Sequence, residues 1–154
     1  MELKIRPARL EDYPGIEAIM QQVQSLHVVL RPDVYKEVCT AIPEEELAKG
    51  IEQQSFYVAE ADNKIVGILS FLHRSVRGAH QVAREVLFVD TMAVDEAYRG
   101  KGVGKAFLEF LKKIKEERGF DGIELQVNAR NRAAYDAYRH WGFTEKSINM
   151  ELPE

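Results

Sequence analysis

The chain is poor in the residues that most often announce a special chemistry. It has one cysteine, Cys39, so no disulfide can close within it and no cysteine-based zinc site can be assembled. Its four histidines, His27, His73, His80 and His140, are scattered and never take the H-E-x-x-H spacing, so no metal is expected. No window approaches the ~18 consecutive apolar residues of a membrane-crossing helix. The opening Met1-Glu2-Leu3-Lys4-Ile5-Arg6 turns charged at once, unlike the apolar core of an export signal, and a reducing, cytoplasmic location is the expectation. Positive charge is not concentrated either. With 21 Lys and Arg against 25 Asp and Glu, the net charge is −4, and no basic cluster of the kind nucleic acid demands is present. Neither nucleic acid nor membrane is therefore an expected partner. Internal repeats, low-complexity tracts and Pro/Gly/Ser linkers are also missing, which makes residues 1–154 one domain.

What is present is an ordinary globular composition, 45% hydrophobic and 30% charged, in a chain long enough to bury a core without staples. Leu3-Lys4-Ile5-Arg6 alternates as a short strand. A helix follows, with Pro14 in its first turn and Ile16, Ile19, Met20 and Val23 on one face; Leu26 or Leu30 continues that stripe until Pro32 interrupts. A second helical region is expected over Asp33 to Gln54, broken around Pro43, with Glu44, Glu45 and Glu46 suited to a helix start. Then the period changes. Ser55 to Ala61 and Lys64 to Phe71 read as strands joined by a tight Asp62-Asn63 turn. Arg77 to His80 reads as a loop and Val82 to Val94 as a long strand. A helix from Gly102 to Arg118 presents Val103, Phe107, Phe110, Leu111 and Ile114 on one face and stops at Gly119. Gly122 to Val127 reads as a strand, Asn131 to Trp141 as a helix, and Phe143 to Leu152 as one or two final strands.

The most informative stretch is Val94-Asp95-Glu96-Ala97-Tyr98-Arg99-Gly100-Lys101-Gly102-Val103-Gly104-Lys105, between a buried strand and an amphipathic helix. Three glycines in so short a span let the backbone turn tightly and bring its N–H groups close to a ligand. Together with the unpaired donors of the helix start they form a concave anion site, to which Arg99, Lys101 and Lys105 add charge. The bland alternative is a glycine-rich connection with solvated basic residues. Two rival phosphate patterns fail. G-x-x-x-x-G-K-[ST] fails because Ala106 follows Gly104-Lys105, and G-x-G-x-x-G fails because Gly100 and Gly102 lead to Lys105 while Gly102 and Gly104 lead to Phe107.

What does match is R-x-x-G-x-G at Arg99, Gly102 and Gly104. Here the sequence resembles the GNAT superfamily of N-acetyltransferases, whose diphosphate-binding signature is [QR]-x-x-G-x-[GA]. A second stretch, Asn131-Arg132-Ala133-Ala134-Tyr135-Asp136-Ala137-Tyr138-Arg139-His140-Trp141-Gly142-Phe143, is similar to the family's N-x-x-A-x-x-x-Y-x-x-x-G-F. Ile5-Arg6-Pro7-Ala8 and Lys64-Ile65-Val66-Gly67 extend the likeness more weakly to the rest of the chain.

The resemblance implies an α/β fold, more fully α+β: a mixed, mostly antiparallel twisted sheet flanked by about four helices and splayed between its fourth and fifth strands. It implies acetyl-CoA as cosubstrate. Met92, Ala93 and Val94 would offer main-chain groups to the pantetheine arm and thioester, although their side chains are also ordinary strand core. Arg99, Gly100, Lys101, Gly102, Val103, Gly104 and Lys105 would hold the diphosphate. Tyr138 matches the family's tyrosine acid; otherwise it is a half-buried aromatic on an amphipathic helix. Asn131 is either a helix N-cap or a contact to coenzyme A, and Asn128 is a weaker candidate for the cofactor.

The base is less determined. Asp90 is out of place in a buried strand, so it faces either the cleft, as a base or amine ligand, or a satisfied network. Glu85 is its rival. His27 lies where the family's helices line the acceptor pocket, though a surface histidine is the commoner reading. The acceptor is an amine, a small molecule in preference to a peptide, and the same fold without catalysis would serve as an acyl-CoA sensor. A homodimer is compatible with the resemblance.

Overall fold

A computed structural model describes residues 1–154. Five strands and four α-helices follow one another along it: β1 (Lys4–Pro7), α1 (Tyr13–Leu30), α2 (Glu44–Glu52), β2 (Phe56–Ala61), β3 (Lys64–Val76), β4 (Arg84–Val94), α3 (Val103–Arg118), β5 (Gly122–Leu125) and α4 (Arg132–His140). The strands lie in the order β1-β2-β3-β4-β5, antiparallel from β1 to β4 and parallel between β4 and β5. None of the helices is long and apolar enough to cross a membrane.

Both faces of the sheet are covered, which is why its central strands read as continuous apolar runs. Along β2, Tyr57, Ala59 and Ala61 point to the face where Val103, Phe107, Leu111 and Ile114 of α3 pack. Phe56 and Val58 point to the other face, against Ile16 and Ile19 of α1 and Leu47 of α2. Each such fully buried aliphatic side chain contributes about 2 kcal/mol of apolar transfer. The turn between β2 and β3 has φ of 52° at Asp62 and 60° at Asn63, the pair of left-handed residues that a two-residue hairpin requires.

A charged pair closes the open end of β1. Arg6 donates to both carboxylate oxygens of Asp12, at 2.8 and 2.9 Å, and Asp12 also accepts from the Arg9 N–H at 2.8 Å. Asp12 is only 9% exposed. Burial pushes its carboxyl up, but the hydrogen bonds from Arg6 and Arg9 and their positive charges outweigh that and hold it below its usual value.

Two expectations fail. Residues 33–43 are not helical. Polar side chains of α1 instead hold them as a loop: Glu17 accepts from the N–H groups of Ala41 and Ile42, and Gln21 donates to the carbonyls of Val38 and Cys39. Gln24 donates to the carbonyl of Lys36. With Pro32 and Pro43 at its ends, this segment has lost the donors a helix would need there. Phe143 to Leu152 forms no strand. Past Phe143 the segment is held by side chains alone, through Tyr135–Glu145, Lys146–Glu124 and Arg31–Glu151. Its alternating Ile148, Met150 and Leu152 are 71%, 86% and 96% exposed, so no apolar surface faces them. Smaller differences concern strand ends. β3 runs on through His73, Arg74 and Ser75 because each pairs with β4, a tertiary gain that polar side chains conceal.

Candidate active site

The site is built where the sheet parts. β4 and β5 are paired only from Val86↔Gly122 to Val89↔Leu125. Beyond that, β4 continues to Val94 while β5 has ended, so the main chain of Asp90 to Val94 is bonded to β3 on one edge and open on the other. The parting begins at a bulge: Phe71 pairs with Val89 and Ser70 with Thr91, which leaves Asp90 opposite no residue. An extra residue in one strand bends it and re-aims its side chain. Asp90 is accordingly exposed although Val86 to Val89 before it are buried. Met92 and Val94 pack toward α3 and Ala93 toward α1, so only their backbone faces the opening.

After Val94 the chain enters the glycine turn. Asp95 accepts from the Ala97 N–H, and Gln22 of α1 accepts from the Glu96 N–H at 3.1 Å. Tyr98 donates to Asp62 at 3.2 Å, fastening the turn to the β2–β3 hairpin, with the Lys101 ammonium 5.1 Å from the centre of its ring. Gly100 and Gly102 have φ of 75° and 88°, and a Cβ at either would meet nothing within 4 Å. Conformation, not space, calls for glycine at both. The first α3 hydrogen bond runs from Ala106 to the Gly102 carbonyl, and the seven N–H groups of residues 99–105 donate to no backbone carbonyl. Arg99, Lys101 and Lys105 are exposed and pair with no carboxylate. Open left-handed glycines, free donors and unpaired cations at the positive end of a sixteen-residue helix fit a diphosphate well. The Val103 side chain is buried, so only its N–H is available. Gly104 differs from the other two glycines: a Cβ there would lie 2.9 Å from Cη2 of Trp141.

Tyr138 sits on α4 with its ring half-buried, edge-on to Trp141 at 6.0 Å and to Phe143 at 5.7 Å. Burial raises its pKa, so the phenol is protonated at neutral pH and available as a proton donor. Asn131 caps α4 by accepting from the Ala134 N–H at 3.2 Å, which leaves its amide donors free. Asn128 accepts from the Arg130 N–H and shapes the turn that precedes α4.

Glu85 stands apart from this group. It pairs with Ser75 at the far end of β4 and accepts from Ser75, His73 and Arg77, which bring its pKa down to about 2. A carboxylate so engaged is no base. His27 is half-buried on the last turn of α1, its ring 4.8 Å from that of Tyr35 in the 33–43 loop, and burial lowers its pKa so that the neutral imidazole prevails at pH 7. Arg130 donates to the Leu30 carbonyl at 2.9 Å, which joins this corner of α1 to the β5–α4 connection. A groove between α1 and the glycine turn is lined by Gln22, Leu26 and Val29 on one side and Glu96 and Arg99 on the other. Sequence reasoning passed over Glu17, Gln21 and Gln24, whose helical spacing on the polar side of α1 was the available signal, and over the packing role of Trp141.

The model of the acetyltransferase (GNAT) family matches residues 20–143. The chain belongs to that family. Among its relatives, an N-acetyltransferase of Methanocaldococcus jannaschii is 29% identical over 97 residues, 63% of this chain and 42% of that protein. The ribosomal protein bS18-alanine N-acetyltransferase of Escherichia coli is 38% identical over 68 residues, 44% of this chain and 46% of its own. The matched stretch thus spans less than half of either relative. An N-alpha-acetyltransferase of Sulfurisphaera tokodaii is 29% identical over 151 residues, covering 96% of this chain and 83% of that protein. The GNAT fold is equally clear in solved structures. A Bacillus halodurans protein superposes with a TM-score of 0.88 at 23% identity over 98% of this chain and 99% of its own. An aminoglycoside N-acetyltransferase crystallised with CoA superposes at 0.72 and 14% identity, covering 99% of this chain and 95% of that one.

Proposed function

We propose that the protein transfers an acetyl group from acetyl-CoA to the primary amine of a small molecule. The observation that carries this reading is the run of free N–H donors over residues 99–105, reached from the open edge of β4 through the short Asp95–Tyr98 turn. Acetyl-CoA supplies an activated thioester. The residues of the chain hold it, steer the amine and manage protons. Arg99, Lys101, Lys105 and the amides from Arg99 to Lys105 grip the diphosphate. The open main chain of Met92, Ala93 and Val94 aligns the arm, and an N–H there polarises the acyl oxygen. As the C–N bond forms and the C–S bond breaks, the Tyr138 phenol donates its proton to the sulfur, the nitrogen releases one to water, and the phenolate regains a proton from water. An alkyl amine has a pKa of about 10 and arrives protonated. Asp90, exposed at the bulge, attracts that cation and passes its proton to water. His27, neutral in the α1 corner, lines the acceptor side.

The names of two relatives favour a second acceptor, the α-amine of a protein N-terminus. The two differ in acidity: an α-amine has a pKa near ~8, so about a tenth of it is free at pH 7, against roughly a thousandth of an alkyl amine. Thiol release from acetyl-CoA, followed over a panel of diamines, amino sugars and N-terminal peptides from pH 6 to 10, tests both. Turnover of small amines that climbs about tenfold per pH unit up to pH 9 supports the first reading. Turnover confined to peptides and levelling near pH 8 replaces it with the second, and CoA binding without thiol release from any acceptor identifies an acyl-CoA sensor.

A further inference from the structure

We propose that Trp141 is a positioning residue that ties the helix carrying Tyr138 to the diphosphate turn through the bare Cα of Gly104, and that the chain thereby carries its own optical reporter of CoA binding. This rests on the reading of residues 99–105 as the diphosphate grip and of Tyr138 as the acid.

Gly104 is the last glycine of R-x-x-G-x-G, and its place in that signature suggests service to the ligand. Its surroundings say otherwise. A Cβ at Gly104 would come within 2.9 Å of Cη2, 3.5 Å of Cζ2 and 3.9 Å of Cζ3 of the Trp141 indole, the first a distance real Cβ atoms do not tolerate. Gly104 also lies in α3, without the positive φ that explains Gly100 and Gly102. The side-chain space a larger residue would fill is thus taken by an aromatic ring from α4, and the indole rests on the same first turn of α3 whose N–H groups are free.

The indole also meets the phenol. Tyr138 meets it edge-on, with planes at 69°, and meets Phe143 at 66°, so both rings pack against Tyr138. Backbone bonds stiffen this cluster. The Trp141 N–H donates to the Ala137 carbonyl, the Phe143 N–H to the Tyr138 carbonyl, and Gly142 between them takes a φ of 100°. The half ångström or so by which a methyl at Gly104 would push the indole is passed to Tyr138, because the rings are in contact and the backbone bonds fix the end of α4 that carries both. Misplacing a catalytic group on that scale costs on the order of tenfold or more in rate. Trp141 is the only tryptophan in the chain, so indole emission comes from this residue alone.

The test has two arms on the intact protein. In the first, coenzyme A is titrated by calorimetry and by tryptophan emission; heat accompanied by a saturable change in emission with the same midpoint is expected. Heat with unchanged emission would overturn the coupling of indole and turn, whereas no heat would overturn the diphosphate reading and the proposal with it. In the second, Gly104→Ala, Trp141→Phe and the double variant are compared by kcat, amine KM and CoA affinity. Gly104→Ala is expected to lower kcat about tenfold or more with little change in amine KM. In the Trp141→Phe background, where the smaller ring leaves room for the methyl, the same substitution should cost less than threefold. Equal losses in both backgrounds would overturn the proposal. Should Tyr138→Phe leave kcat intact, the acid reading is wrong and the positioning role falls with it, while a matching non-additivity in CoA affinity would still locate the contact. If Gly104→Ala does not fold, the emission arm on the unaltered chain decides.

Discussion

Tyr138 combines half-burial with a raised pKa, and that combination limits what the phenol can do. A phenol that resists ionisation is a poor base and remains a donor across the neutral and mildly alkaline range in which amines become free. Tyr138→Phe is expected to lower kcat by about a hundredfold or more, within the usual range for general acids, while calorimetry finds CoA affinity unchanged. Gly102 makes a different demand. At a φ of 88° with open space around its Cα, a methyl clashes with nothing except its own backbone. Gly102→Ala should cost about 1 kcal/mol, seen as a lower denaturation midpoint, and should weaken CoA binding by about fivefold as the turn relaxes away from its strained form.

The polar side of α1 deserves equal weight with its apolar stripe when elements are compared. Glu17 and Gln21, one helical turn apart, stitch α1 to the loop that replaces the expected second helix, and Gln24 extends the seam. Burial raises the Glu17 carboxyl, but the N–H groups of Ala41 and Ile42 and the Gln21 amide bring it below its usual value, so it remains an acceptor throughout the neutral range. Glu17→Ala leaves those two loop N–H groups unmet, at a cost on the order of 1 kcal/mol. Because that loop carries Tyr35 against His27, the residue proposed to line the acceptor side, the amine KM should then rise several-fold while CoA affinity holds, with Glu17→Gln, which keeps one acceptor oxygen, lying between; equal changes in both ligands would show that the loop does not wall the acceptor.

The same elements explain what was legible in the sequence. Apolar period and turn chemistry revealed β2, α3 and the Asp62-Asn63 hairpin because each is settled by its own residues and the face it buries. The conformation of the glycine turn was legible because left-handed glycines leave a direct mark. Residues 33–43 were not, since their conformation is decided by side chains from another helix. Nor was the end of β5, since a strand that stops at Leu125 looks no different from one that reaches Val127. The role of Trp141 was hidden for a related reason: its partner, Gly104, lies in a different motif.

At the scale of the whole molecule, acidic side chains govern how the fold responds to pH. Asp12 has a depressed folded-state pKa, so its contribution is fully present above the unfolded carboxylate value of about 4 and fades as pH falls through the folded one. Glu85, at about 2, follows the same sign over the window from roughly 4.5 down to 2. Asp12→Ala leaves a guanidinium that is only 10% exposed with Glu60, at 3.5 Å, as its remaining carboxylate partner, and should destabilise the protein by about 2 kcal/mol at pH 7. Urea denaturation at pH 7 and at pH 2.5 should show that deficit shrinking at the lower pH, which lies below the unfolded carboxylate value of about 4. A deficit independent of pH would mean that packing, not charge, is what Asp12 supplies.

The unengaged amides of residues 99–105 have one more consequence. A helix start with nothing to donate to is also a helix start with nothing to slow its exchange with solvent deuterium. In the ligand-free protein the peptic fragment carrying this turn should label within seconds, beside an α3 core that labels slowly. Saturating coenzyme A should then protect that one fragment before any other, and labelling that stays fast would show that the anion is gripped somewhere else.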